Sequence, residues 1–149
     1  MTDITLLSNL QIMMVFSLLF LSFNLLLVQF GRVPRKIAAM TDKNKARSTH
    51  AEFISSITAF AHAVASFALS LYILMEDGIT KHQKNTFPET ALLSLSAGYF
   101  FSDTITGIIY EFNNKMMNAH HVLVIVNVLY IFEYRQYANI TVAALFASE

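Results

Sequence analysis

Five ionisable side chains stand inside or at the edge of apolar stretches of this 149-residue chain. His62 lies in ITAFAHAVASFAL and Asp103 in SAGYFFSDTITGIIY; His120 and His121 open HHVLVIVNVLYIF, and Glu149 closes the sequence. An imidazole oriented by a carboxylate is a minimal unit of general-base chemistry, and it is equally a plain buried ion pair. His120, His121 and Asp103 are therefore the candidate catalytic residues. Successive helix residues point ~100° apart, so the two adjacent histidines cannot both aim at one spot. His62, Asp103 and one of the paired histidines would suit a metal by ligand type, but their spacing matches no ligand motif; neither a metal nor another cofactor is expected. The chain has no cysteine, which removes thiol catalysis and Cys-ligated zinc. Its formal net charge of zero offers no basic field for nucleic acid.

Composition says what must hold these groups. Hydrophobic residues make up 55% of the chain and charged residues 13%, and the apolar residues come in long blocks between short charged loops. That is the pattern of an all-α, polytopic transmembrane helical bundle. The first block, about Leu10 to Phe30, is long enough at ~1.5 Å per residue to cross a ~30 Å hydrocarbon core. It lacks a basic leader and a small-residue cleavage site, so it reads as a permanent span. The second block runs from about Phe53 to Leu74, the third from about Thr90 to Tyr110, and the fourth from about His120 to Phe132; a fifth begins near Tyr137.

The loop 31–50 carries Arg32, Arg35, Lys36, Lys43, Lys45 and Arg47 against Asp42 alone. The positive-inside rule puts it in the cytosol, where it reads as a solvated, topology-setting loop, with contact to anionic lipid as the alternative. On that topology His62 lies ~13 Å and Asp103 ~10 Å from the cytosolic face, Glu149 ~12 Å, and the histidine pair at the rim. All five fall in the cytosolic half. This predicts one polar chamber, open toward the cytosol, within the bundle. His50 and His82 fall in loops and are expected to be inert. Ser55, Ser56, Ala59, Ala63, Ser66 and Ser70, with Ser94, Ala97 and Gly98, form small-residue stripes that let helices approach closely. Asn139-Ile140-Thr141 is a formal glycosylation sequon abutting the membrane and is expected to be unmodified. Only about twelve residues of the fifth block precede Glu149, too few to cross, so the chain reads as part of a longer protein or a short isoform.

The ordered strings FISSITAFAHAVASFALSLYIL, LSAGYFFSDTITGIIYEF, NAHHVLVIVNVLYIF and ANITVAALFASE resemble the TLC domain over about residues 50–149. This family takes in ceramide synthases, translocating-chain-associated membrane proteins and several further TLC-domain proteins. The most specific parts are His62, the G-Y-F-x-x-D run from Gly98 through Tyr99 to Asp103, and the His120–His121 pair. The resemblance implies a first span plus basic loop over residues 1–49 and an incomplete TLC-type domain over 50–149. It implies six or more spans in all, of which about five are present. A lipid-accepting cavity would then be lined by His62, Tyr99 and Glu149. The implied address is the endoplasmic reticulum or another internal membrane, with the plasma membrane as the alternative. Two functions follow from it. One is lipid binding that influences membrane lipid composition, homeostasis or trafficking. The other is sphingolipid N-acyl transfer of the ceramide-synthase type, with acyl-CoA and a sphingoid base as partners and a histidine as base or acyl carrier. The Asp- and Asn-rich signature that follows the histidine pair in ceramide synthases is missing here, and AALFASE looks more like the non-synthase branch. Lipid binding is therefore the preferred expectation.

Overall fold

The computed structural model describes residues 6–77, 85–134, 138 and 140–142. The elements in chain order are α1 (Leu6–Phe30), α2 (Arg35–Ala38), α3 (Lys43–Asp77), α4 (Phe87–Ile109) and α5 (Lys115–Tyr134). Among the described residues there is no strand. Among the described residues four helices, α1, α3, α4 and α5, are long and apolar enough to cross a membrane. Of the fifth expected span, Ala138 and residues 140–142 are helical. Tyr137, Asn139 of the sequon and Glu149 lie outside the described residues, as does His82.

Two helices begin earlier than their apolar blocks. α3 starts at Lys43, so the last eight residues of the expected basic loop are helix. The Asp42 carboxylate accepts hydrogen bonds from the backbone N–H groups of Asn44 (2.9 Å) and Lys45 (3.1 Å), satisfying donors that a helix start leaves orphaned. The 35-residue α3 measures ~52 Å, well beyond a ~30 Å core, and its basic N-terminal turns project from the membrane. His50 therefore lies on a helix, not in a loop. It is buried on α3, with Nε2 lacking a hydrogen-bond partner among the described residues. In the same way α5 starts at Lys115, where Asn114 Oδ1 accepts from Met117 N–H at 2.8 Å. His120 and His121 therefore lie more than a turn inside α5, not at its start. Apolar blocks locate the membrane crossing, while caps locate the helix ends, and the two need not coincide.

α4 is the axis of the bundle, packed against α1, α3 and α5. It enters on Pro88 in its first turn, with Glu89 accepting the Thr86 backbone N–H at 2.6 Å. At its other end Phe112 N–H bonds the Gly107 carbonyl at 3.2 Å, with Glu111 between them at φ 56°. This is a Schellman-type stop with glutamate where glycine is usual, a conformation that costs an L-residue ~1–2 kcal/mol.

The bundle is patterned inside-out. α1 buries Asn9, Ser17 and Asn24 and exposes Met14, Leu18, Leu19, Phe23 and Leu26. α3 buries Ser55, Thr58, His62, Ser66 and Ser70 and exposes Phe53, Ile57, Phe60, Val64 and Phe67. In lipid the apolar face needs no protein partner, whereas polar groups need each other. Ser56, expected in the small-residue stripe, instead faces out and bonds the Glu52 carbonyl at 2.9 Å. Apolar packing supplements this pattern. Leu93 and Ala97 of α4 cluster with Val128, Ile131 and Phe132 of α5, with Met13 of α1 against them. Gly98 sets the α1–α4 distance, because a Cβ there would stand 2.7 Å from Phe16 Cβ and 2.9 Å from Ser17 N.

Candidate functional site

Three buried polar groupings lie along α4. The first centres on Asp103, which is 5% exposed. Ser55 of α3 donates its hydroxyl to Asp103 Oδ1. Across the helix, His121 of α5 brings Nδ1 to 3.6 Å from Asp103 Oδ2. Asn113, beyond the end of α4, reaches back to donate to the Asp103 backbone carbonyl at 3.4 Å. It passes over Gly107, where a Cβ would collide with the Asn113 side chain. Asp103 thus joins α3, α4 and α5 at one level.

The neighbours of His121 select its tautomer. Thr104 Oγ1 lies 3.1 Å from Nδ1, and Thr104 spends its own proton on the Phe100 carbonyl at 2.8 Å. The Thr104 hydroxyl is then an acceptor toward His121, as is Asp103 Oδ2, and two acceptors around one ring nitrogen assign the proton to Nδ1. Nε2 carries the lone pair. That is the arrangement of an oriented base or of a hydrogen-bond acceptor for a polar head group. His121 is 3% exposed, while His120 is exposed. The ~100° helical step separates the two, and only His121 meets Asp103.

The second grouping lies deeper, around His62. Its Nε2 is 3.2 Å from Ser96 Oγ and 3.0 Å from Ser66 Oγ. Its ring stacks on Tyr99 with centroids 4.3 Å apart and planes 13° apart. Phe20 of α1 and Phe100 stand edge-on to the imidazole at 6.5 and 5.8 Å. The Phe100 ring also lies 5.1 Å from that of His121, so one phenyl ring touches both His62 and His121. His62 and Tyr99 are therefore neighbours. Both are packed in an aromatic box, not exposed on the wall of an open chamber.

The third grouping was not foreseen. Asn24 of α1 is wholly buried, accepts the Thr58 hydroxyl on Oδ1 at 2.6 Å and faces Ser102 Oγ with Nδ2 at 3.5 Å. It ties α1 to α3 and α4. A lone asparagine in SLLFLSFNLLLVQF is the signal that could have found it, since an intramembrane amide needs a partner. Replacing Asn24 with Leu is expected to lower bundle stability by about 1–2 kcal/mol, the scale of a buried intramembrane hydrogen-bond set. Unfolding in graded detergent mixtures checks this; an unchanged midpoint refutes it.

Among the described residues two concavities adjoin this framework, the first of them touching the His62 group through Phe20. One is lined by Phe16, Leu19, Phe20 and Phe23 of α1 with Leu95 of α4. The other lies between the start of α3 and the end of α4. Among the described residues no three His, Asp or Glu side chains converge as metal ligands.

The family comparison follows this geometry. The model of the TLC domain shared by the TRAM, LAG1 and CLN8 proteins matches residues 52–149. The chain belongs to the TLC-domain family. With its four apolar helices it is an integral membrane protein, of a family tied to lipid biology. The TLC match includes Ser55, His62, Tyr99, Asp103 and the histidine pair, but begins after α1. Asn24 and Phe20 are therefore supplied to the site from outside the matched segment. No solved structure matches this TLC-domain chain.

Proposed function

We propose that this TLC-domain protein binds membrane lipid in the cytosolic half of the bilayer and thereby influences membrane lipid composition, homeostasis or trafficking. The observation that carries this reading is the buried Ser55–Asp103–His121 cluster. A polar assembly of this kind is expensive inside a membrane and is a functional site by default. The proposed address is the endoplasmic reticulum or another internal membrane. The acyl-transfer alternative draws on the same His121–Asp103 pair but lacks the acidic signature of ceramide synthases, and is the less favoured reading.

The test is lipidomics on cells lacking the full-length protein, rescued at matched expression. His121→Ala is expected to fail in restoring the lipid profile. His120→Ala is expected to restore it nearly as well as wild type, because His120 is exposed and meets the cluster through ring contact with His121 at 5.8 Å, not through Asp103. Equal rescue by both variants would reduce the cluster to a structural tie. Selective loss of one acyl-transfer product in the His121→Ala cells, with its amine precursor accumulating, would favour the enzyme.

A further inference from the structure

The cavity between the start of α3 and the end of α4 holds about 220 Å³ and is lined by Asn44, Arg47, Ser48, Ile109, Tyr110 and Glu111. That is smaller than the ~300–1,000 Å³ typical of drug-sized ligands, and is the scale of a head group rather than a whole lipid. Its position fits the interfacial layer. Ile109 is the last residue of α4, and Arg47 precedes the apolar part of α3, which begins near Phe53, by ~9 Å of helix axis. A tyrosine and an arginine at this level are ordinary interfacial anchors.

The charges are less ordinary. Arg47 and Glu111 line the same cavity, yet they form no ion pair with each other among the described residues. Arg47 lies instead over the Tyr110 ring, its guanidinium carbon 5.1 Å from the centroid. Glu111 occupies a left-handed position, at φ 56°, where glycine would be easier. A non-glycine residue at such a position calls for a use, and its carboxylate lines the cavity. A cation, a carboxylate and an aromatic face around one small interfacial cavity complement a ligand that carries both signs. Arg47, held over the Tyr110 ring with Asn44 and Ser48 beside it, suits a phosphate, and Glu111 suits an ammonium group.

We infer that this cavity is a head-group site for a zwitterionic phospholipid, with phosphate on Arg47 and ammonium on Glu111. The inference rests on the lipid-binding reading and adds the class of lipid. A purely basic rim would favour anionic lipids; Glu111 opposes that.

The test uses the full-length protein in detergent micelles, with bound lipid counted by native mass spectrometry. The probes are dioleoyl phosphatidylcholine, phosphatidylethanolamine, phosphatidylglycerol and dioleoylglycerol. The expected result is that the two zwitterionic lipids are retained roughly tenfold over the other two, the scale of one charge-assisted contact. Arg47→Ala is expected to bring phosphatidylcholine down to the level of dioleoylglycerol. Glu111→Gln is expected to raise phosphatidylglycerol to the level of phosphatidylcholine. Displacement by free phosphocholine would support the same head-group chemistry with a soluble source; persistence of the lipid against it would support the membrane source. Equal or better retention of phosphatidylglycerol by wild type overturns the proposal, as does a preference unchanged in Glu111→Gln. Equal retention of all four lipids removes the head-group site but leaves lipid binding standing, whereas retention of none removes both.

Discussion

Gly98→Ala is expected to destabilise the bundle by about 2–4 kcal/mol, summing a ~1–3 kcal/mol overpacking cost with the loss of a dependent intramembrane hydrogen-bond set. The added Cβ would meet Phe16 Cβ at 2.7 Å, Ser17 N at 2.9 Å and the Phe16 carbonyl carbon at 3.0 Å. These are backbone and Cβ atoms of α1, which no rotamer change can move aside. The whole helix must back away from α4, and the consequence extends along α1 to Asn24, which would lose its reach to Ser102 and Thr58. The chain has no native cysteine, so a disulfide between cysteines introduced at Met13 and Ala97 reports the α1–α4 packing without background. Slower cross-linking and a lower unfolding midpoint are the expected pair of results. Wild-type values for both would show that α1 is not seated as described.

Asp103→Ala is expected to cost about 2–3 kcal/mol and to abolish lipid-profile rescue. It strips an acceptor from the Ser55 hydroxyl and removes the carboxylate facing His121, and each orphaned buried polar group costs ~1–3 kcal/mol. Asp103→Asn separates the structural from the chemical role. The amide oxygen still accepts from Ser55, so the fold is expected to hold. The amide nitrogen, however, presents donors to His121 Nδ1, which also donates in the wild type. The expected outcome is a stable protein in which the imidazole shifts toward the Nε2–H tautomer, read by ¹⁵N NMR of labelled histidine, together with failed rescue. A stable Asp103→Asn protein that restores the lipid profile would show that the carboxylate contributes packing alone.

The candidate site was legible in part because membrane burial makes polar residues conspicuous. His62, Asp103 and the histidine pair stand out in apolar blocks, and the structure places Asp103 beside His121. The expectation of a chamber was coarser than the result. His62 and Tyr99 are stacked inside an aromatic box to which α1 contributes Phe20. Ser55, Thr104 and Asn113, which complete the surroundings of Asp103 and His121, read in the sequence only as small or polar residues. A hydroxyl declares its function through its partner, and partners 17 or 48 residues apart are not visible in spacing.

What the amino-acid order determined by itself was the class of molecule. Apolar blocks of bilayer length dictate spanning helices, because backbone polar groups have no other way to be satisfied in lipid. The basic residues before the apolar part of α3 suggest its orientation, and the ordered TLC motifs announce the family. Tertiary structure decided which polar groups meet. The ~100° step along α5 turns His121 inward and leaves His120 outside, but only the seating of α5 against α4 says which of the two faces Asp103. The close α1–α4 approach at Gly98 carries Asn24 and Phe20 into a site whose other residues come from α3, α4 and α5. Pairing across helices depends on rotation and depth in three dimensions, and neither is written in the local pattern of any one helix.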